Sequence, residues 1–376
     1  MARRPDVLHV QKVSGISGSE KHLLGLLPDL RDQGWDARML VLHEGEPGAA
    51  EFAGLLLERG VPVEGVRMSR DLDPAAAARF ARALLRLRPR ILHTHLVHAD
   101  FYGQTLGALL RVPLRISTKH GFDDFRHVRA FALADRTIAR LAHHNIAISD
   151  GLARYLSAVE GFDTSAFEVI RYGIHPGAEP PPYPDGPPRL LCVGRLIPVK
   201  GHSVLLHAFA EAHRQVPGLT LDLAGAGKAE PELRALADEL DLDGAVRFLG
   251  SLSPIEPTIE QAAIVVVPSL GEGFGMVALE AMERGRAVIA SHVGGLGEIV
   301  EDGRTGLLVP TGDPLALAEA IVELASDLDR VRRMGAAGRE RVVSHFLADR
   351  SARETADLYR TSLNGSARPS AGQESS

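Results

Sequence analysis

Short apolar runs alternate with longer segments of helical period along almost the whole chain. The runs are rich in Val, Ile and Leu, and the segments between them repeat apolar residues every three or four positions. Because each run leads into such a segment, the pattern predicts parallel α/β units. We expect strands at 7–13, 37–43, 90–94, 114–118 and 145–148, then at 190–193, 219–224, 246–249, 264–267, 287–290 and 306–309, with helices at 20–32, 74–87 and 99–110.

A segment with six prolines, 180–188, separates the two sets of strands. Proline lacks a backbone donor and fixes φ, so this segment can continue neither a helix nor a sheet. We therefore predict an α/β protein with two Rossmann-like, doubly wound parallel-sheet domains that face a central cleft. The expected divisions are 1–178 for the first domain, 179–188 for a linker and 189–345 for the second domain, with a helix at 348–363 that returns to the first domain and a disordered tail at 364–376.

Composition and charge exclude several classes of protein. With 45% hydrophobic and 24% charged residues the main body is globular, and a net charge of −6 argues against a nucleic-acid binder. The sequence shows neither a signal peptide nor a long apolar span, so we expect a cytoplasmic protein. The single cysteine, Cys192, lies in an apolar run and is expected to be a buried thiol.

The stretch 79–140 is locally basic, with 12 Lys and Arg residues against 4 Asp and Glu residues, a difference of +8. Arg79, Arg82, Arg86 and Arg90 recur at helical spacing beside apolar residues. Such an amphipathic helix is either the solvated face of a folded domain or a surface that touches anionic lipid. Peripheral contact with the inner face of a membrane therefore stays an alternative, and the solvated face is preferred.

The candidate chemistry lies in the glycine-rich segment 268–280, which follows an apolar strand. A helix that begins near Gly275 would point its first free amides, at Met276 and Val277, toward a phosphate or sugar oxygen. Glu280 lies one turn deeper on the same helix face, where its carboxylate can accept hydrogen bonds from two neighbouring ribose hydroxyls. Glu272, in the loop before the helix, could accept such bonds from a transferred sugar.

Two cations are expected beside these carboxylates. Arg195 and Lys200 lie in the loop that follows the first strand of the second domain. An anion cannot bind close to two carboxylates without compensating positive charge. Arg195 and Lys200 would therefore neutralise a diphosphate and stabilise it as a leaving group.

Together these residues resemble the retaining glycosyltransferases of family 4. The resemblance spans about residues 6–363. It implies the type B architecture of two Rossmann-like domains, metal-independent transfer and no cofactor, since the nucleotide sugar is a substrate. The segments that carry it are 193–201, 223–227, 246–250 and the block from Glu272 to Glu280, followed by Gly294, Gly295, Glu298, Asp302, Gly303 and 306–309.

The resemblance also implies a role for each matching position. The first glutamate of the block would contact the donor sugar and the second would hold the ribose, while the Arg/Lys pair binds the diphosphate. The backbone near Phe248 would meet the base. Catalytic roles thus fall on Arg195, Lys200, Glu272 and His120, and substrate-binding roles on Gly18, Phe248, Phe274, Gly275, Met276, Val277 and Glu280.

The first domain matches the family less closely. His120 follows a predicted strand and resembles the histidine that the family places near the donor sugar and the reacting centre. The family usually has a Gly-Gly-x-Glu loop after the first strand, whereas this chain reads Gly-Ile-Ser-Gly-Ser-Glu at 15–20. We expect Gly18 to lie under the diphosphate, and the departure leaves the role of Gly15 open.

Three closely spaced histidines, His93, His95 and His98, suggest a metal site at first sight. No carboxylate accompanies them at the spacing of metal ligands, and the family resembles metal-independent catalysts, so we predict no metal site. Asp100, next to this group, could help to line the acceptor side.

The predicted function is transfer of a hexose-type sugar from a nucleotide diphosphate sugar to an acceptor hydroxyl, with retention at the anomeric carbon. UDP is favoured as the carrier and GDP is the alternative. The acceptor could be a glycan, a lipid-linked sugar or a small metabolite. Two other functions stay open, a nucleotide-sugar 2-epimerase and a non-catalytic nucleotide-sugar sensor of the same fold.

Overall fold

The structure is a computed structural model that describes residues 4–122, 129–184 and 186–365. Two compact units are present. One is formed by the chain up to Gly173 together with the segment that begins at Ala348, and the other by Ile174–Leu347. Each unit contains one parallel sheet flanked by helices. The α/β fold with two doubly wound sheets is thus confirmed.

The first unit has a seven-stranded sheet in the order β3-β2-β1-β4-β5-β6-β7, and all its pairings are parallel. The last helix, α14, belongs to this unit and contacts α1. The elements are β1 Val7–Lys12, α1 Gly18–Asp32, β2 Ala37–His43, α2 Pro47–Glu58, β3 Val63–Arg67, α3 Pro74–Leu87, β4 Ile91–His95, α4 Leu96–Leu109, β5 Leu114–Lys119, α5 Arg129–Ala139, β6 His144–Ala147, α6 Asp150–Glu160, β7 Phe167–Val169 and α14 Ala348–Gly365.

The second unit has a six-stranded parallel sheet in the order β10-β9-β8-β11-β12-β13. Its core is built from the branched residues of these strands and from one face of α7, α8 and α12. The elements are β8 Arg189–Val193, α7 His202–Gln215, β9 Thr220–Ala224, α8 Glu230–Glu239, β10 Val246–Gly250, α9 Glu256–Glu260, β11 Ile264–Val267, α10 Met276–Glu283, β12 Ala287–Ser291, α11 Leu296–Ile299, β13 Gly306–Val309, α12 Pro314–Ala325 and α13 Leu328–His345.

All eleven strands expected from the sequence are present, and two edge strands of the first sheet, β3 and β7, were not expected. An edge strand buries little, so its apolar pattern is weak: in β3 only Val66 is buried, and Glu64 and Gly65 interrupt the run. Helix α3 begins and ends as expected. Helix α14 continues two residues beyond 363, and the rest of the predicted tail, 366–376, lies outside the described residues.

The segment 179–188 does not mark the division between the units, which lies between Gly173 and Ile174. The hydroxyl of Tyr183 donates to the carbonyl oxygens of Gly285 and Val331, and the Arg286 guanidinium lies 4.4 Å from the centre of the Tyr183 ring. These contacts fix the proline-rich segment to the second unit. A proline-rich run breaks secondary structure but can still be packed, and this accounts for the shifted boundary. Asp185 of this segment lies outside the described residues.

The basic helix α3 turns its apolar face inward. Phe80, Leu84 and Leu87 are buried in the core of the first unit. On the other face the Arg86 guanidinium pairs with the Glu64 carboxylate at 2.5 Å. The amphipathic pattern of this helix is therefore accounted for by core packing and a solvated face.

Two further features complete the description of the chain. The Cys192 thiol is buried, and burial raises its pKa to about 12. Of the helices that the structure describes, none has both the length and the apolar character that crossing a membrane requires.

Candidate functional site

The order of strands in the second sheet reverses direction between β8 and β11. At such a switch point the loops that leave the carboxyl ends of the two strands diverge, and ligands of open parallel sheets bind there. The loop after β8 carries Arg195 and Lys200, and the loop after β11 carries Glu272. The sheet topology thus brings the three charged residues predicted from the sequence to one edge.

Close backbone packing holds these two loops together. The Leu270 amide donates to the Val199 carbonyl oxygen at 2.8 Å. Gly201 has φ of +71°, and a Cβ on it would lie 1.9 Å from the Pro268 carbonyl oxygen. Gly225, after β9, has φ of +150°, and a Cβ there would lie 1.9 Å from the carbonyl oxygen of Gly194. Glycine is therefore required at both positions, by conformation and by contact distance.

The Lys200 ammonium and the Glu272 carboxylate form an ion pair, with 2.7 Å between Nζ and Oε2. The Ser269 hydroxyl donates to the same oxygen at 3.1 Å. Both charged side chains are partly exposed. Arg195 is exposed at the start of the loop, and within the described ranges no carboxylate pairs with its guanidinium. The edge of the sheet therefore presents one paired cation and one guanidinium whose charge is available.

Helix α10 begins at Met276, directly after Gly275, whose φ is +112°. The amides of Met276 and Val277 belong to the first turn of the helix, where no intrahelical acceptor exists for them. A Cβ at Gly275 would lie 2.6 Å from Leu296 Cδ2, so the turn packs tightly on α11. Glu280 lies one turn deeper and is 5% exposed. These positions are those expected from the sequence.

Two predicted substrate-binding residues are aromatic, and their rings pack within the second unit. The Phe274 ring is 2% exposed and lies edge-on against Phe346, so only the Phe274 backbone could reach a ligand. The Phe248 ring in β10 is half-buried, and the Arg234 guanidinium lies 4.2 Å from its centre. A backbone contact near Phe248 remains compatible with this packing.

The first sheet has its own switch point, between β1 and β4. Gly18 is the first residue of α1, which follows the loop after β1. The Glu20 carboxylate accepts a hydrogen bond from the Ser17 amide at 2.9 Å and one from the Ser17 hydroxyl at 2.6 Å. Glu20 thus secures the first turn of this helix, and Gly18 lies where a helix N-terminus faces the switch point.

His120 follows β5 and is half-buried. Its two ring nitrogens both have protein partners: Nε2 lies 3.0 Å from Nδ1 of His95, and Nδ1 contacts the Tyr172 hydroxyl. Burial lowers the pKa of His120 well below its ordinary value, and the positive charge of Lys119 acts in the same direction. The imidazole is therefore uncharged at neutral pH.

The three histidines of the sequence 93–98 do not form one group. The His98 ring on α4 is exposed and contacts the Asp71 carboxylate at 2.8 Å. His93 and His95 instead cluster with His9 of β1, and all three are buried. The ring of His95 is stacked on that of His93, with centres 4.4 Å apart, and on that of His9, with centres 5.2 Å apart, while the rings of His9 and His93 are tilted by 34° at 4.8 Å.

Asp100 does not line a surface, contrary to the prediction. It is fully buried on α4, and its carboxylate accepts from the Lys119 ammonium at 2.7 Å and from the Ser117 hydroxyl at 2.9 Å. The Lys119 ammonium is also 3.3 Å from the Asp135 carboxylate. This buried ion cluster anchors the end of β5, directly before His120.

Three residues at these sites were missed in the sequence: Ser269, His9 and Tyr172. Ser269 could have been found, because it precedes Glu272 by three residues in the same loop. A histidine between the apolar residues Leu8 and Val10 of strand β1 was also a visible signal for His9. Nothing in the sequence linked Tyr172, which follows β7, to His120.

Comparison with known proteins finds similar glycosyltransferases. A family model described as "Glycosyl transferases group 1" matches residues 187–327, and a model described as "Glycosyl transferase 4-like domain" matches residues 17–173. A D-inositol 3-phosphate glycosyltransferase of Nocardioides sp. is 34% identical over 80% of this chain and 74% of its own length. An alpha-maltose-1-phosphate synthase of Mycolicibacterium smegmatis is 32% identical over 72% of this chain and 78% of its own length.

Among solved structures, HepE of Anabaena in complex with UDP and glucose is similar, with a TM-score of 0.82 and 22% identity. The alignment covers 95% of this chain and all of that one. Sucrose-phosphate synthase of Thermosynechococcus elongatus has a TM-score of 0.79 at 24% identity, over 96% of this chain and 100% of the other. At these identities the two structures support the fold alone.

Proposed function

Since this chain belongs to the group 1 glycosyltransferases and is an enzyme that transfers sugar from a nucleotide sugar, we propose that it moves a hexose-type unit from a UDP sugar to an acceptor hydroxyl. Family membership favours a transferase over the 2-epimerase and the sensor that the sequence left open.

The observation that carries the proposal is the ion pair of Lys200 and Glu272 at the switch point, with exposed Arg195 on the same loop. A diphosphate that enters this edge would meet two cations and the amides at the start of α10. Charge that develops on the departing diphosphate would be stabilised by groups already in place, and such preorganised donors typically contribute the largest part of catalysis. We propose that these groups do the work that a divalent metal does in other transferases.

Glu272 and Glu280 are proposed to orient the two sugars of the donor. Glu272 is held by Lys200 and Ser269, so its carboxylate has a fixed direction and can accept from hydroxyls of the transferred sugar. Glu280 is largely buried behind the first turn of α10, where it can accept from the ribose hydroxyls. The backbone near Phe248 would contact the base.

The stereochemical course is proposed to be retention. The departing diphosphate would stay on the face of the sugar from which the acceptor hydroxyl approaches, and the acceptor proton would pass to a phosphate oxygen. Positioning of the two reactants would then supply much of the rate enhancement. Family membership supports this course.

The acceptor is proposed to be a small hydroxylated metabolite of the cyclitol type. The support is the Nocardioides relative, whose name gives inositol 3-phosphate as its substrate. A glycan or a lipid-linked sugar is the alternative. UDP is favoured as the carrier because the HepE structure contains UDP and glucose. GDP is the alternative.

Thermal unfolding in the presence of UDP, GDP and ADP sugars tests the choice of donor. A donor at about 100 times its Kd should stabilise the protein by roughly 2.7 kcal/mol. The double variant Glu272→Ala, Glu280→Ala should lose both this stabilisation and transfer to a cyclitol acceptor.

A matched control is Glu232→Ala, Glu239→Ala, which removes two exposed carboxylates from α8 with the same change of charge. The control should behave as the unmodified protein. Full activity of the Glu272, Glu280 variant would disprove the proposed site.

A further inference from the structure

Seven side chains of the first unit form one continuous series of hydrogen bonds, which we call the histidine chain. It crosses the switch point between β1 and β4 and reaches α14. Its contacts are Thr118 Oγ1 to His93 Nε2 at 2.7 Å, His93 Nδ1 to Tyr359 Oη at 2.5 Å, Tyr359 Oη to His9 Nε2 at 3.3 Å, His9 Nδ1 to His95 Nε2 at 2.9 Å, His95 Nδ1 to His120 Nε2 at 3.0 Å, and His120 Nδ1 to the Tyr172 hydroxyl.

All four imidazoles of this chain are uncharged near neutral pH. Burial lowers the pKa of His9 to about 3 and lowers those of His93, His95 and His120 well below the ordinary value. A neutral imidazole carries one N–H donor and one nitrogen acceptor. In the histidine chain each ring uses both of its nitrogens, so each ring donates once and accepts once.

If every donor in the histidine chain meets an acceptor, two arrangements of protons are possible. Either every group donates toward Tyr172, or every group donates toward Thr118. A reversal between His9, His95 and His120 would place two N–H groups, or two nitrogens without a proton, against each other, and buried polar groups without a partner are costly. A reversal at Tyr359, with both neighbouring rings donating to its oxygen, would leave the Tyr359 O–H without an acceptor in the histidine chain. The tautomer of His120 is therefore coupled to that of His93, through Tyr359 on α14.

A metal ion is the other use to which His9, His93 and His95 could be put. Ligand nitrogens must point in the planes of their rings toward one common centre. Here the rings of His9 and His95 are within 10° of parallel, and those of His93 and His95 within 25°. Stacked rings direct their nitrogens side by side. His9 Nδ1 is already joined to His95 Nε2, and the two nitrogens of His93 are joined to Thr118 and Tyr359. The arrangement favours the histidine chain.

We propose that the histidine chain holds His120 in a single tautomer, and that His95, His9 and Tyr359 are positioning residues for sugar transfer. This inference rests on the proposed function. A sugar that leaves a diphosphate develops positive charge at its anomeric carbon. If His120 lies near the reacting sugar, as the family resemblance implies, an imidazolium at this position would oppose that charge, whereas a neutral imidazole with a fixed donor and a fixed acceptor would not.

The test compares two Tyr→Phe variants of the full chain. Tyr359→Phe removes the hydroxyl that joins His9 to His93. Tyr102→Phe is the control, because Tyr102 is also buried and its hydroxyl also makes two hydrogen bonds, to the Asp73 amide and the Asp71 carbonyl oxygen, outside the histidine chain. Two-bond ¹H–¹⁵N correlation spectra of the imidazoles report which nitrogen of each ring carries the proton.

In the unmodified protein each of the four rings should show one tautomer, all in the same direction along the chain. In Tyr359→Phe the rings of His9, His95 and His120 should show mixed tautomers, and kcat should fall about 10- to 100-fold, as for a misplaced catalytic group, while KM for the donor is kept. In Tyr102→Phe both the spectra and kcat should be unchanged.

Mixed tautomers in the unmodified protein would overturn the proposal, and so would an equal loss of kcat in both variants. Stoichiometric Zn²⁺ binding that shifts the nitrogens of His9, His93 and His95 would establish the metal site instead. The spectra need no substrate. A failure of the proposed transfer reaction, seen as absence of turnover with every donor, would therefore leave this test intact.

Discussion

The two units have similar sheets but opposite chemistry at their switch points. In the second unit charged, partly exposed groups meet where β8 and β11 end, with Lys200 and Glu272 paired at 2.7 Å. In the first unit neutral, mostly buried imidazoles meet between β1 and β4. The same topology thus supplies an edge where loops diverge, and the side chains on those loops and on the strand ends decide whether that edge carries charge or a series of neutral hydrogen bonds.

The difference fits the division of work proposed for the two units. A diphosphate needs cations, and these must be accessible to exchange one ligand for another. A group that only sets the direction of hydrogen bonds near a reacting sugar works best without charge and away from water, because burial keeps its pKa away from neutrality. The role of the charged groups in the second unit and the role of the neutral imidazoles in the first unit can be tested separately.

The largest effect should follow from removing charge in the second unit. Lys200→Met keeps much of the length of the side chain but loses the ammonium that neutralises the diphosphate and orients Glu272. We expect kcat to fall about 10²- to 10³-fold, as on loss of one preorganised donor. Steady-state kinetics with a UDP sugar measures it. Lys228→Met is the control, because Lys228 is exposed on the same unit. Equal activity of the two variants would contradict the role of Lys200.

A smaller effect should distinguish the units at low pH. His9 and His22 have folded-state pKa values of about 3, while the unfolded chain binds their protons below about 6.5. The unfolded state then holds more protons, so stability falls as pH drops from about 6.5 toward 3, by up to about 1.4 kcal/mol per pH unit for each such group. The second unit has one comparable group, His202, with a pKa of about 4.

Trp35 makes this prediction measurable, because it is the single tryptophan and lies in the first unit, edge-on to Tyr359. The urea midpoint followed by Trp35 fluorescence should be lower at pH 5 than at pH 7. Circular dichroism, which reports on both units, should shift less. A fluorescence midpoint that does not move with pH would show that the histidines of the first unit are not held uncharged.

The smallest effect is expected on the outer surface of the first unit. Arg86 and Glu64 form an ion pair with side chains 62% and 36% exposed. Arg86→Gln should change the free energy of unfolding by less than about 1 kcal/mol, and salt should reduce the difference. Because the apolar face of α3 is buried, pelleting with anionic vesicles should stay at background in both proteins. Pelleting that weakens as the salt concentration rises would instead support the peripheral membrane contact that the sequence left as an alternative.

The sequence predicted the second unit better than the first, and the reason is the distance between contributing residues. Arg195 and Lys200 lie in one loop, and Glu272 and Glu280 in one loop and helix, so short motifs describe most of that edge. The strands were also visible, because a buried parallel strand is a continuous apolar run. The prediction that residues 179–188 divide the two units was wrong. Prolines show where secondary structure stops, but they do not show what the segment packs against.

The histidine chain could not be predicted in this way. Its members come from β1, β4, β5 and the residue after it, the segment after β7, and α14, and only the order of strands brings them together. The sequence grouped His93 and His95 with His98, but the His98 ring contacts Asp71 instead. His120 was recognised through the family pattern, and the partners of its ring nitrogens were not.

Tyr359 has a consequence for how the protein is made. It is supplied by α14, so it leaves the ribosome after every residue of the second unit, yet it completes a hydrogen-bonded series that includes His9 of the first strand. A nascent chain that has reached Leu347 holds all four imidazoles but not the hydroxyl that joins His9 to His93. The first unit begins to be synthesised first and is therefore completed last. A product truncated before α14 lacks Tyr359 and so cannot form the complete histidine chain.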